Sequence, residues 1–141
     1  MEKKPLMLTL KHTDRAWGGY MRKIAMEAGI PDSYRTVIMF LARHGEASQK
    51  ELAQFSHTTY AAISRTVKEM ELTGYINKET DDNDRRYAKL SLTHKGIECD
   101  NRIREKIQHA EKVISDALDD SEKEMFNRTL QKINDIIAKQ L

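Results

Sequence analysis

The chain has 141 residues, 39% of them hydrophobic and 33% charged, with a formal net charge of +2. That length suits one domain with a real buried core, and the charge fraction suits charged helix surface. No run approaches the roughly 18 apolar residues of a membrane span, and the single cysteine, Cys99, excludes an internal disulfide, so a cytoplasmic setting is expected.

The opening MEKKPLMLTLK sets lysines before an apolar patch. Pro5 to Leu10 is shorter than the roughly 7–15 residues of a secretory core, and no small-residue cleavage site follows, so no signal peptide is expected. From about Met7 to Ala28, Trp17, Met21, Ile24 and Ala25 recur at helical spacing. Gly18-Gly19 weakens that helix and Gly29-Ile30-Pro31 ends it. Pro31 can open the next helix, because a first-turn proline loses no needed hydrogen bond. Tyr34, Val37, Ile38 and Leu41 then form one apolar stripe, stopped by His44-Gly45.

Ser48-Gln49-Lys50-Glu51 has the spacing of a capping box, in which hydroxyl and carboxylate exchange bonds with each other's backbone N–H. A short helix follows with Leu52 and Ala53 inward. Phe55-Ser56-His57-Thr58 makes a turn, and Thr59 is a good N-cap for a helix ending near Thr73-Gly74. Ile63, Val67 and Met70 face inward on it. The opposite side carries Thr58, Ala61, Arg65 and Lys68, flanked by Ala62 and Ser64.

Ile76 to Thr80 and Arg86 to Leu92 read as two strands joined by DDND, whose Asp and Asn side chains bond their own backbone in turns. Ala88, Leu90 and Leu92 share one face; Tyr87, Lys89 and Ser91 share the other. Thr93 caps a long helix bearing Ile103, Ile107, Ala110, Ile114 and Leu118. Asp120-Ser121, with Glu124 three beyond the serine, opens a last helix with Phe126, Leu130, Ile133 and Ile137. The fold expected is mainly α with a small β-hairpin wing. It is a single domain, 1–141, with a winged helix-turn-helix lobe at 30–96 and dimerisation helices at 1–29 and 97–141. The apolar stripes of the outer helices exceed what so small a lobe can cover, and a second copy of the chain is the simplest cover.

Charge alone does not announce a partner. Residues 1–47 carry +3, 48–96 carry +1 and 97–141 carry −2, so a nucleic-acid surface must rest on placement. The outward face of residues 58–68 has that placement. Ala61 and Ala62 allow close approach and can touch a thymine methyl, and Arg65 can reach guanine or a phosphate. Thr58, Thr59, Ser64 and Lys68 can hold the backbone. The competing reading is a solvated helix face. At the wing tip, Asp84 is expected to brace one of Arg85 and Arg86 while the other probes the negative minor groove; a merely soluble turn explains the aspartates but not two adjacent arginines.

Three stretches together, ARHGEASQKELA, ISRTVKEMELTGYI and NDRRYAKLSLTHKG, resemble the multiple-antibiotic-resistance-regulator (MarR) family. Asp84-Arg85-Arg86 matches its D-x-R-R-like wing signature, and the likeness runs from Gly29 to Gly96. It implies an obligate homodimer with intertwined terminal helices, acting as a transcription regulator, commonly a repressor, on a pseudo-palindromic duplex. The sequence departs from the family at Phe55-Ser56-His57-Thr58, where apolar residues and a glycine are usual, and at Ala61 and Ala62, where polar base-readers are common. The resemblance further implies release of DNA by a small phenolic or other aromatic anion. His12, Arg15, Trp17, Tyr20, Met21, Tyr34 and Met39 are the candidates for such a pocket, with ordinary core and dimer packing as the alternative. Redox sensors of the family use a cysteine in the first helix region, where this chain has none, so Cys99 is expected to be structural or idle.

The five histidines, His12, His44, His57, His94 and His109, are scattered, without metal spacing, nucleophile elbow or phosphate loop. No enzyme, cofactor or metal is expected. A winged-helix protein-interaction module is the rival reading, drawn from the near-neutral lobe and the alanines. A membrane-surface helix at 6–28 is disfavoured by Asp14 and Glu27.

Overall fold

A computed structural model describes residues 3–80, 83 and 88–141. Its elements run α1 (Leu6–Glu27), α2 (Asp32–His44), α3 (Gln49–Ser56), α4 (Tyr60–Leu72), β1 (Ile76–Thr80), β2 (Ala88–Leu92), α5 (His94–Asp116) and α6 (Asp120–Gln140). This is the expected mainly helical, winged helix-turn-helix architecture. Among the described residues no helix is long and apolar enough to cross a membrane.

Two compact units emerge, Met1–Glu105 and Lys106–Leu141. The first helix groups with residues 30–105, and the division falls within α5. The reason lies in α1's second half, where Met21, Ile24 and Ala25 are buried and the helix packs on α2. α2 is the centre of the first unit: Val37, Ile38 and Leu41 are almost fully buried, and the helix touches α1, α3, α4 and β2. Pro31 is the N-cap of α2, extended at φ −63°, ψ 151°, one position earlier than the first-turn role expected of it.

β1 and β2 pair antiparallel, from Ile76 opposite Leu92 to Thr80 opposite Ala88. Ala47 adds a short third edge, its N–H donating to the Leu90 carbonyl at 3.0 Å and its carbonyl accepting from Leu90 N–H at 2.8 Å. Leu90 is thereby buried at the root of the ribbon.

In the second unit the last helix begins at Asp120 as expected, but its capping box sits two residues before the Ser121–Glu124 pair. Asp119 accepts from Glu122 N–H at 2.8 Å, and the Glu122 carboxylate accepts from Asp119 N–H at 3.2 Å. The sequence DDSEKE offers both this box and the Ser121–Glu124 pair. The one used leaves Asp120 and Glu122 at the positive end of the helix, where acidic groups are stabilising. Leu118, placed in the α5 stripe by spacing, lies beyond that helix.

Candidate nucleic-acid interface

The interface is built from α3, the turn after it, and α4. The expected capping box is present: Glu51 N–H donates to Ser48 Oγ at 3.1 Å, and Ser48 N–H donates to Glu51 Oε1 at 3.3 Å. With Leu52 buried beneath it, α3 is fixed as the support helix. Its exit is unusual. His57 takes the left-handed conformation at φ 51°, ψ 38°, a region that costs a non-glycine residue about 1 kcal/mol or more. The neighbouring contacts hold it there: Thr58 N–H donates to the Ala53 carbonyl at 3.3 Å, and Ser56 Oγ donates to the Leu52 carbonyl at 2.6 Å. Phe55, though half outside, lies 4.6 Å from the Phe40 ring. It supplies packing that an apolar turn would otherwise give.

Thr59 then caps α4, accepting from Ala62 N–H at 3.1 Å. Ile63, Val67 and Met70 bury one side of the helix. Thr58, Thr59, Ala61, Ala62, Arg65 and Lys68 are all exposed, and Ser64 is half-buried. The seven expected helix residues thus sit together around the outward face. No acidic residue occurs in the first turn, and the first carboxylate of α4 is Glu69. The helix is therefore polar along its length: dipole and cations make the stretch from Tyr60 to Lys68 positive, and Glu69 and Glu71 make the C-terminal end negative.

Sequence reasoning missed Tyr60. It is the first residue of α4 and is 58% exposed. Apolar spacing assigns aromatic residues to the core, but the partner one turn on, at i+4, is Ser64, and that polar neighbour was the signal available.

The far end of α4 is clamped to the start of α5. Lys95 Nζ donates to the Thr73 carbonyl at 2.8 Å and lies 4.4 Å from the centre of the Tyr75 ring. Thr93 Oγ1 donates to the Gly74 carbonyl at 2.6 Å and accepts from Gly96 N–H at 3.1 Å. A Cβ on Gly96 would overlap the Tyr75 carbonyl oxygen; only glycine lets α5 start so close. Burial raises the Tyr75 phenol above its ordinary pKa, with Cys99 and Tyr34 adding to the shift and Arg102 opposing it.

On the wing, Lys78 and Lys89 are exposed cations that the sequence reading did not single out. Lys89 lies 3.6 Å from the Glu46 carboxylate and opposite Glu79 across the ribbon. Asp84, Arg85 and Arg86 lie outside the described residues.

The seven candidate pocket residues are spread over α1 and α2. His12 and Arg15 are exposed, and His12 Nδ1 is 2.6 Å from Lys4 Nζ. Trp17 and Tyr20 are half-buried, their rings 5.8 Å apart. Met21 and Tyr34 are buried, Tyr34 edge-on to Tyr75 at 5.7 Å. Met39 is half-buried, its sulfur 3.5 Å from Arg35 Nη1. Two cavities open elsewhere in the lobe. One, of about 590 Å³, runs between α3 and β2, lined by Glu46, Ser48, Lys50, Glu51, Gln54 and Lys89 among others. The other, of about 240 Å³, is lined by Ser33, Thr36, Ser56, Thr58, Ala62, Ile63 and Thr66.

A capped support helix, a cation-bearing second helix and a two-stranded ribbon define a winged helix-turn-helix lobe. Residues 28–86 match the model of the MarR family. Among curated proteins the chain is similar to YdcH of Bacillus subtilis, an uncharacterised HTH-type transcriptional regulator. The two are 38% identical over 64 residues, 45% of this chain and 44% of that protein's length. Among solved structures it is similar to a MarR family transcription regulator with TM-score 0.85 and 17% identity, covering 96% of this chain and 91% of the other. A mutant of S. aureus MepR bound to an oligodeoxyribonucleotide gives TM-score 0.63 at 16% identity, with 96% and 99% covered. NadR in complex with 4-hydroxyphenylacetate gives 0.75 at 20%, with 94% of each chain covered. At these identities the structural likeness is one of fold.

Proposed function

We propose that this protein is a homodimeric, sequence-specific double-stranded DNA-binding regulator, acting as a cytoplasmic repressor released by a small aromatic ligand. The observation that carries the reading is the outward face of α4, where Arg65 and Lys68 stand before the helix's first carboxylate, Glu69. A helix of this kind enters the major groove with its first turns on the base edges. The MepR complex with DNA is a fold neighbour that supports it. Dimerisation is inferred from apolar side chains left open on the single chain, among them Leu6, Leu8, Val113, Ile114, Phe126 and Ile137. The aromatic ligand is inferred from the NadR complex; on this chain the half-open Trp17–Tyr20 pair is the surface on which a phenolic ring would stack.

The test is binding to a duplex taken from upstream of the chain's own coding sequence, followed by fluorescence anisotropy across salt. The logarithm of affinity is expected to fall linearly with the logarithm of salt concentration. Arg65→Ala is expected to weaken binding about ten- to a hundredfold at unchanged dimer content, with Arg86→Ala also weakening it. Wild-type affinity in both variants would remove the groove assignments.

A protein-interaction module is the second reading, favoured by Leu72. That side chain is 79% exposed at the acidic end of α4. It predicts no duplex binding at any salt concentration.

A further inference from the structure

Tyr60 stands at the entrance of α4 with 58% of its surface open, and among the described residues no ring is stacked on it. An aromatic side chain buries 150–250 Å² when covered, so leaving this one wet forgoes stabilisation that the fold takes elsewhere. Its surroundings restrict what could cover it. Ala61 and Ala62 follow it, both exposed, and Arg65 and Lys68 follow five and eight residues on. The Thr59 cap and the helix dipole make this end positive. An apolar ring at the positive end of a helix that carries two cations further on fits a polyanion that offers apolar groups between its charges. Duplex DNA does so in the major groove, where the thymine C5 methyl is the one apolar feature on a base edge.

We infer that Tyr60 is a specificity-determining residue that reads a thymine methyl in each half-site of the operator. The inference rests on the DNA-binding reading and deepens it. No amide or carboxylate stands on α4 before Glu69, so the bidentate amide pairing that reads adenine is absent from the turns nearest the groove. Arg65, one turn beyond Ala61, is left to contact guanine or phosphate. Discrimination at the leading turn then falls to shape and apolar contact. The ring packs its edge on the methyl, while its hydroxyl remains free for a phosphate or water.

The experiment uses the full chain and a pool of 30-base-pair duplexes with random cores, selected by binding at low ionic strength. The winning duplex is resynthesised with deoxyuridine replacing one thymidine at a time, which deletes the methyl and nothing else. Burying one methyl-sized group is worth about fourfold in affinity. Such a loss is expected at one or more positions in each half-site. In Tyr60→Ala the thymine-to-uracil ratio at one of those positions is expected to fall to about one, while Tyr60→Phe retains it and Arg65→Ala weakens both duplexes equally. If duplexes are selected but uracil binds as well as thymine everywhere, or the ratio survives in Tyr60→Ala, the assignment of Tyr60 is wrong while the DNA-binding reading stands. A change of dimer mass in Tyr60→Ala would place the ring in a subunit contact and overturn the assignment too. Selection of no duplex at all would overturn both.

Discussion

The lobe and the last 36 residues are held by opposite means. In the first unit, α2 alone buries Tyr34, Val37, Ile38, Phe40 and Leu41, and every helix from α1 to α4 contributes residues to the core. In the second unit, Lys106–Leu141, α6 buries nothing. Its local devices are nonetheless complete: a two-way capping box at Asp119 and Glu122, a Lys112–Asp116 pair at 2.5 Å, and a Gln131–Asp135 bond at 3.1 Å. Capping and i,i+4 pairs supply tenths of a kilocalorie to about 1 kcal/mol each. Most helical stability comes from packing of an apolar face. The contrast teaches that the lobe's fold rests on a core of its own, whereas the helices of 106–141 are specified by local devices and carry apolar side chains that stay open, among them Val113, Ile114, Phe126 and Ile137.

The largest effect should come from placing a charge among those open side chains. Phe126 is 56% exposed, and a charge there, in Phe126→Glu, would be buried twice over in a symmetric contact. At about 1.5–3 kcal/mol for each lost aromatic burial, the dimer dissociation constant is expected to rise a hundredfold or more. Sedimentation equilibrium would show it. Leu72→Glu is the control on the lobe: its parent side chain is the more exposed of the two, and its dimer mass should not change. If Phe126→Glu stays dimeric at wild-type strength, the open stripe is not the subunit contact.

A second substitution attacks the lobe and spares the stripe. Gly96→Ala forces a Cβ against the Tyr75 carbonyl and the Leu92 side chain, and backbone there can yield only by prising α5 from the α4–β1 corner. About 2–3 kcal/mol of stability is expected to be lost, read as a lower urea midpoint at constant slope. DNA affinity should fall with it, since Lys95 and Thr93 hold the end of α4 from the same corner. A fully stable Gly96→Ala protein would mean the corner has slack that its hydrogen bonds do not show.

The same contrast explains what was legible beforehand. Lobe helices were readable because Tyr34, Val37, Ile38 and Leu41, or Ile63, Val67 and Met70, repeat at helical spacing around a core the chain itself supplies. The Ser48 and Thr59 caps were readable because they are local. Tyr60 was harder to read, because periodicity assigns large apolar residues inward and only its polar i+4 neighbour, Ser64, marked it as outward. The cleft between α3 and β2 was invisible for a different reason: Glu46, Glu51 and Lys89 meet only after the ribbon folds back on α3. At α6, two boxes of equal spacing were on offer, and spacing alone could not choose the Asp119–Glu122 pair that forms. The buried Asp100 went unmarked, since a carboxylate on the inner face of a helix breaks the apolar rule used to find that face.

Asp100 gives the finest test, because it is a charge placed where the lobe is otherwise apolar. It is 5% exposed, between Cys99 and Ile103 on the inner side of α5. Burial raises its pKa above the ordinary carboxylate value, and the Arg104 guanidinium, 2.6 Å away, lowers it only in part. The folded state therefore prefers the protonated acid more than the unfolded chain does. Below the unfolded value of 3.8 both states hold the proton and ionisation costs nothing. As pH rises from there through the raised folded value, stability is lost, and above it the loss is complete. Asp100→Asn removes the titration while keeping the shape. Relative to that variant, the wild type should gain stability on passing from pH 7 towards pH 4, which paired urea melts at the two pH values would measure. The effect should be the smallest of the three, because Arg104 already offsets part of the burial. It should grow in Arg104→Gln, which leaves the carboxyl in place without its countercharge. A wild type that instead loses ground to Asp100→Asn on acidification would show that the ion pair outweighs burial, and that the charge helps to hold the lobe together.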